Sequence, residues 1–450
     1  MCDILIALPD VSQTGRVIFG KNSDRPVGEC QVLYRSRGGS RGTKAPIKCA
    51  YVEVPGVRTT LATLGCRPYW CWGYETGMNE AGVIGGNTAI YTRSFWLEEN
   101  QELRGLIGME LLRLGLERGH TAEEAVSVIV GLLEKYGQWG SAVHGKRHPE
   151  GCYENAFLLA DKDEAWILET TGRRWAASRY TTGVHALSNQ LTIRNHWTKG
   201  SDDLLEYGMA QKWWNPEQGP LDFALAYSDH EHYPRQVSHI RWRRAIRLLE
   251  KNAGNIDAAL MMAFLRDHYE STFLEGPQFN PYLPDFLTIC MHDSPADFTW
   301  GNTATSVVAE INPENPALTP FWCCYQPPCS SVYLVYFLNE AIPEIVASPG
   351  SAGLHSASPL DAPKDFFDEK SLWWRLYRIV GAVLQSTIER METIRALLDP
   401  IEDMGLSRVK SLFSQETTIQ TGSMRALIDE QSAELENAIN RIEFEWKLWK

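Results

Sequence analysis

No apolar run in this chain approaches the roughly 18 residues that a membrane-spanning helix requires. The opening residues carry no basic stretch, and Asp3 interrupts their apolar run, so they do not read as a secretion signal. Positive charge is not in excess: the net charge is −13, and the one basic cluster, RSRGGSR at 35–41, is short. That balance argues against a nucleic-acid footprint. Phosphate-binding glycine loops are missing too, since neither G-x-x-x-x-G-K-[ST] nor G-x-G-x-x-G occurs in a strand–helix setting. Together these absences argue against a membrane-spanning helix, a nucleic-acid footprint and a glycine-loop phosphate site. The expectation is a cytoplasmic protein whose ten cysteines are largely unpaired.

What is present fits a large globular core. The 450 residues are 44% hydrophobic and 22% charged, with sixteen tryptophans. ILIALPD and RVIFGKN read as two strands around the turn VSQTG, so the chain opens on a hairpin. GMNEAGVIGGNTAIY places a turn at 79–82 ahead of a strand. Leu106, Met109, Leu112 and Leu116 have helical spacing that stops at Gly119, and Thr121 with Glu124 predicts a capping box for a second helix. These two helices should pack as a hairpin.

Strands are expected on either side of the polar turn 161–164, near 184–193, and at 304–311 and 330–338. Helices are expected at 240–251 and 258–268. Strands, a helical pair, then strands again suggest an α+β protein with segregated layers. Residues 339–370, rich in Pro, Ser and Ala, read as a linker or long loop. It would divide a main domain (1–338) from a helical extension (371–450). Leu372, Leu376, Ile379 and Val383 begin one amphipathic helix of that extension; Ile428, Leu435, Ile442 and Trp446 mark another.

Cysteine directly follows the initiator methionine. Removal of that methionine would leave Cys2 with a free α-amine beside its thiol. An α-amine has a reference pKa of about 7.7–8, against about 10.4 for lysine, so it can accept a proton near neutrality. One residue then supplies nucleophile and base. Ten cysteines in 450 residues put one at position 2 by chance about once in 45 chains, so position alone does not decide the matter. FGKNSDRP at 19–26 closes the opening hairpin, which could return Lys21 and Asp24 beside Cys2. A plain polar turn is the competing reading of that stretch.

MCDILIALPD with GRVIFGKNSDRP resembles the start of the secernin branch of the peptidase C69 dipeptidase family. The likeness runs on in order through GMNEAGVIGGNTAI, GMELLRLGLERGHTAEEAV, LLEKYGQWG, NAFLLADKDEAWILETTGRRWAA and ALSNQLTI. It spans most of residues 1–270. The resemblance implies a four-layer αββα sandwich of the N-terminal nucleophile hydrolase type, with added C-terminal helices, that cleaves linear amides. On matching positions it makes Cys2 the nucleophile and Asp24 the carboxylate that holds the N-terminus. Lys21 stands where related hydrolases carry arginine, keeping the charge but losing the planar fork. Asn87 and Asn189 match asparagines lining the oxyanion site, with a turn residue bonding its own backbone as the alternative for each. Arg241 matches an active-site arginine, with Arg243 and Arg244 close by and a solvated helix face as the alternative. Asn-Thr-Ala-Ile at 87–90 departs from the NEAV of secernins. An acid missing there would favour acyl amides or blocked peptides over free dipeptides.

The mechanism so implied needs no cofactor and no metal, and a small peptide or amide as substrate. GGSRG at 38–42 has the spacing of a serine nucleophile elbow but lacks the strand and helix around it. Cys66/Cys71 and Cys323/Cys324/Cys329 raise the question of zinc, but only Cys324 with Cys329 has a zinc-ligand gap, and no partnering histidine pair is evident, so zinc is not expected. His230 and His232 read as loop residues. The competing function is a hydrolase-fold protein used for binding or regulation, with a homo-oligomer through the C-terminal helices as a further expectation.

Overall fold

The opening hairpin is the centre of the molecule, and what surrounds it explains its composition. In the computed structural model, β1 (Cys2–Ala7) pairs antiparallel with β2 (Ile18–Arg25), placing Cys2 opposite Ser23 and Ile4 opposite Lys21. Residues 1–40, 45–97, 104–233, 238–275, 287–293, 301–383, 387–414 and 422–448 are described. Residues 41–42 of GGSRG lie outside these, and the Gly39–Ser40 part is exposed.

Two antiparallel sheets hold the core. The first has six strands, in the order Val184–Leu187, β1, β2, Asn302–Glu310, Phe321–Tyr325 and Leu334–Tyr336. The second has eight, from Lys199–Gly200 through Arg174–Tyr180, Ala165–Thr171, Glu154–Ala160, Ile84–Ile90, Thr76–Asn79 and Thr63–Pro68 to Gln31–Ser36. Every residue of β2 is buried, as suits a central strand covered on both faces. Two glycines show how tight that cover is. A Cβ on Gly20 would lie 2.7 Å from Met261 of the helix Ala258–Leu265, while a Cβ on Gly86 would lie 2.5 Å from the Lys21 stem. Alternation along β2 therefore turns Gly20 to the helix and Lys21 to the second sheet.

Helices close both outer faces. Gly108–Arg118 and Ala122–Tyr136 lay Leu111, Leu112, Leu116, Ile129 and Leu133 on Phe157, Leu159, Trp166 and Leu168 of the second sheet. His239–Lys251 and Ala258–Leu265 cover the first sheet. The layers run helix, sheet, sheet, helix, which is the expected αββα order. The predicted capping box is half made. Thr121 accepts the Glu124 N–H, worth about 1 kcal/mol, but the Glu124 carboxylate takes the N–H of His120.

Several expected boundaries shift. The strand near 184–193 ends at Leu187, and the helix expected to 268 ends at Leu265. The strand expected over 330–338 shrinks to Leu334–Tyr336 beside Phe321–Tyr325, which has no counterpart among the expected elements. Among the described residues the C-terminal part holds three helices, Leu372–Val383, Thr387–Ser414 and Ser423–Glu445. Their apolar faces belong to the same core as the sandwich. Trp373 donates to Ala304 O (3.0 Å), Gln431 accepts the Val335 N–H (3.1 Å), and Arg266 forks onto Glu402 (2.6 and 2.8 Å). Residues 339–370 form a strap along the second sheet, bonded to Tyr69 O through His355 N and to Trp70 O through Ala357 N. Among the described residues no helix is long and apolar enough to cross a membrane.

Candidate active site

Strand alternation splits the charged residues of the hairpin between two faces. Lys21, Ser23 and Arg25 form one set; Asn22 and Asp24 form the other, joined by Asp3 of β1. Lys21, Asp24, Arg25 and Asp3 are all buried, which charged residues rarely are without partners.

On the face towards the second sheet, Lys21 Nζ donates to Ser23 Oγ (2.6 Å) and lies 3.4 Å from Glu75 Oε2. Arg25 reaches the other Glu75 oxygen (3.1 Å) and also grips Glu29, Ala142 O and Tyr153. Glu75, the acid shared by both cations, is the main residue that sequence reasoning missed. Nothing in its local stretch YETG marks it, and only the pairing of the two sheets brings it to Lys21.

On the helix face, Arg241 is fully buried. It pairs with Asp3 Oδ2, donates to Asn189 Oδ1 (2.7 Å) and to Cys2 O (3.4 Å), and stands 4.0 Å from Asp24 Oδ2. The helix geometry separates it from its neighbours: Arg243 is exposed, and Arg244 binds Asp267. Thr303, opposite Asp24 in the ladder and next to a register shift, donates to Asp24 Oδ1 (2.7 Å). Asp3 and Thr303 were also absent from the expected set.

The Cys2 N–H donates to Asn189 Oδ1 (3.0 Å), and Asn189 Nδ2 donates to Ala89 O (2.7 Å). Asn87 Nδ2 donates to Asn155 Oδ1 (2.9 Å), itself steadied by Gln138 (2.8 Å). Each of these amides has a second Nδ2 hydrogen beyond the bond named. Met1 continues the ladder by one residue, exchanging backbone hydrogen bonds with Asp24 (3.0 and 2.8 Å).

A cavity of about 380 Å³ opens over Cys2, lined by Asp24, Arg25, Glu75, Asn87, Tyr153 and others. A second, of about 240 Å³, is lined by Asn189, Arg194, Asp229, His230 and Trp242. Met1 and Tyr91 line both, so Met1 sits where the two adjoin. Loss of Met1 would enlarge the space over the thiol and expose the nitrogen of Cys2. His232 is half exposed and bonded to Asp229 (2.8 Å), which agrees with its reading as a loop residue.

Burial raises the Cys2 thiol above its ordinary pKa; the Lys21 ammonium and the N-terminal ammonium pull it down, while Glu75 and Asp24 add to the rise. The resting group is a thiol, and it needs a base before it can attack. Burial also lifts the Asp24 carboxyl to about 6 against the N-terminal ammonium, Arg241 and the Thr303 bond, with Asp3 adding to the rise. Of the six residues singled out in the sequence, Cys2, Asp24, Asn189 and Arg241 form one contact network. Lys21 acts on the Cys2 thiol by its charge. Asn87 borders the cavity, with its amide tied to Asn155.

The chain is similar to one protein family and to several solved structures. The sequence model of Peptidase family C69 matches residues 53–270, a little under half of the chain. Among solved structures, a mutant of the conjugated bile acid hydrolase from Clostridium perfringens is similar at 13% identity and a TM-score of 0.40. That match covers 76% of this chain and 94% of the other. Another variant of the same enzyme gives 14% and 0.39 over the same shares. An N-acylethanolamine-hydrolyzing acid amidase ortholog from Caenorhabditis elegans gives 14% identity and 0.33, covering 70% of this chain and 94% of its own.

Proposed function

We propose that the protein is an N-terminal nucleophile hydrolase of the secernin type that cleaves dipeptides or related linear amides through Cys2. The observation that carries this reading is the position of Cys2. It begins a buried strand, its nitrogen is held by Asn189, and its thiol lies beside a buried ammonium under a cavity large enough for a small substrate. After methionine removal the α-amine takes the thiol proton as sulfur bonds to the amide carbon. The carbonyl electrons move onto oxygen, towards the second Nδ2 hydrogens of Asn87 and Asn189. The oxyanion then collapses, the C–N bond breaks, and the amine's proton goes to the leaving nitrogen. Water, deprotonated by the same amine, hydrolyses the thioester and restores the thiol. Asp24 and Arg241 position the N-terminus. No step of this sequence requires a cofactor.

Two features bear on the substrate. Thr88 occupies the position of the missing acid, but it donates to Ser188 O (3.1 Å) and does not line the cavity. Its identity therefore says little against free dipeptides. Lys146 and Glu150 stand at the cavity, half exposed or more and 3.7 Å apart. They offer one charge for a carboxylate and one for an ammonium.

The test is hydrolysis of a panel of dipeptides and N-acyl amino acids from pH 5 to 9. It uses protein with a native N-terminus whose intact mass shows methionine removed. Turnover by wild type but not by Cys2→Ala supports the reading. Equal turnover by both sinks the mechanism, and none by either moves the reading to a binding role.

A further inference from the structure

We propose that His268, Cys290, His292 and Cys329 form a structural zinc site on the far side of the first sheet from the cavity. Their donor atoms all lie within 4.8 Å of one another, and all four residues are buried. His268 Nε2 lies 3.0 Å from His292 Nε2, Cys290 Sγ lies 3.3 Å from Cys329 Sγ, and His292 Nε2 lies 3.6 and 3.2 Å from those two sulfurs. Zinc takes sulfur at about 2.3 Å and nitrogen at about 2.0–2.1 Å in a tetrahedron. Such bond lengths put the donors about 3.3–3.8 Å apart. The 3.3 and 3.6 Å spacings fall in that range and the 3.0 and 3.2 Å ones a little below it, with no pair of donors beyond 4.8 Å. Two sulfurs and two imidazole nitrogens are the donor chemistry that selects zinc among common divalent ions. With four protein ligands no coordination position stays open, so the site is structural.

One further observation points to a metal. His268 turns its other ring nitrogen, Nδ1, to Glu270 Oε1 (3.2 Å), the carboxylate–histidine arrangement that orients a metal-binding imidazole. The turn that carries it is held in an unusual shape. Tyr269 has φ +67 and Ser271 φ +58, a region that non-glycine residues adopt at a cost. Asp267 O accepts from Cys290 N (3.2 Å), and the Tyr269 hydroxyl from the same turn reaches Leu287 O (2.7 Å). A disulfide is the obvious rival, but it accounts for neither imidazole, and the 3.3 Å sulfur separation is well beyond the roughly 2.05 Å of an S–S bond.

The site joins three stretches distant in sequence: the turn after Ala258–Leu265, the segment 287–293, and the short turn Pro328–Ser330. It also lies one hydrogen-bond chain from Asp24. Met291 exchanges hydrogen bonds with Thr303 (3.0 Å each), and Thr303 donates to Asp24. Asn22, two residues before Asp24, donates to both Leu265 O (2.9 Å) and Ile289 O (2.7 Å). Zinc here would pin the segment that backs the N-terminal strand pair. His292 also borders a cavity of about 160 Å³.

The test measures metal by mass spectrometry in full-length protein. The chelated protein is then refilled with cobalt, whose visible and thiolate charge-transfer bands report tetrahedral S₂N₂ coordination. About one zinc per chain, with those bands and with loss of zinc in Cys329→Ser and His292→Gln, is the expected result. Cys66→Ser, a change at another buried cysteine 3.6 Å from Cys323, should keep its zinc. Wild type that neither contains zinc nor gives the cobalt bands overturns the proposal, whether or not the variants fold. Zinc retained at full occupancy in Cys329→Ser overturns it too. Neither readout depends on turnover.

Discussion

Cys2 on one side of the first sheet and Cys290 with Cys329 on the other are all buried thiols, yet their surroundings differ in kind. Cys2 faces a cavity and the buried Lys21 ammonium, and two polar atoms of residues lining that cavity, Asp24 Oδ2 and Asn87 Oδ1, have no hydrogen-bond partner among the described residues. Cys290 and Cys329 face each other and two imidazoles, each donor within reach of the other three. Unfilled polar capacity beside open space is what a reacting group needs from its site, whereas donors that complete one another's shell fix a shape. Thr303 touches both networks, so the question is how far they act separately.

The largest effect expected is at Cys2. Cys2→Ala should lower turnover by at least about 10,000-fold, the scale seen when a nucleophile is removed, while zinc stays near one per chain. Surviving turnover would break the active half of the comparison. Zinc lost along with turnover would show that the two regions are one unit.

Lys21→Met comes next. It leaves Glu75 buried with Arg25 as its remaining cation, and breaking such a pair costs about 3–5 kcal/mol. Urea unfolding measures the loss, which should come without loss of zinc. A cost under about 1 kcal/mol would mean that Arg25 alone neutralises Glu75 and that Lys21 is held there for its effect on the thiol.

Asp24→Asn probes the strand pair by pH. The folded carboxyl keeps its proton to about pH 6, against about 3.9 unfolded. The stability that this group contributes is therefore complete below about pH 4 and is lost as pH rises through 6. Asparagine does not titrate, so the variant should gain on wild type by about 2–3 kcal/mol between pH 4 and 7. Denaturant midpoints at pH 4, 5.5 and 7 check this, and a constant difference would show that Asp24 is not the titrating group.

Sequence legibility followed the same divide. The opening hairpin, the helical pair after Gly108 and the strands around the turn 161–164 were readable because each is local: alternation, helical spacing and turn residues lie within one window. Cys2 was singled out by its position and Lys21 and Asp24 by hairpin return, with a plain polar turn as the competing reading, and the ladder sets Cys2 opposite Ser23. Asn87, Asn189 and Arg241 rested on family resemblance, and the structure gathers Asn189 and Arg241 about Cys2. Glu75 and Thr303 were not legible, since each reaches the site by strand pairing or sheet packing from elsewhere in the chain. The zinc ligands were hidden in the same way. Cys329 was weighed only against its sequence neighbours Cys323 and Cys324, while its partners at 268, 290 and 292 come from another part of the chain.

The smallest effect is expected at the cavity rim, and it bears on what the open region is for. Glu150 and Lys146 are 68% and 57% exposed in their side chains, and a pair so exposed contributes about 0–1 kcal/mol to stability. Either group can therefore turn to a ligand at little cost. If Glu150 takes the ammonium of a free dipeptide, Glu150→Gln should raise KM for dipeptides by about 3–5-fold, the scale of one exposed charge contact, and leave kcat alone. N-acyl amino acids have no ammonium, so their KM should not move. An equal rise for both substrates would mean that the charge acts on the cavity as a whole. No change for either would place the dipeptide ammonium elsewhere, leaving the rim pair as a solvated contact like others on the surface.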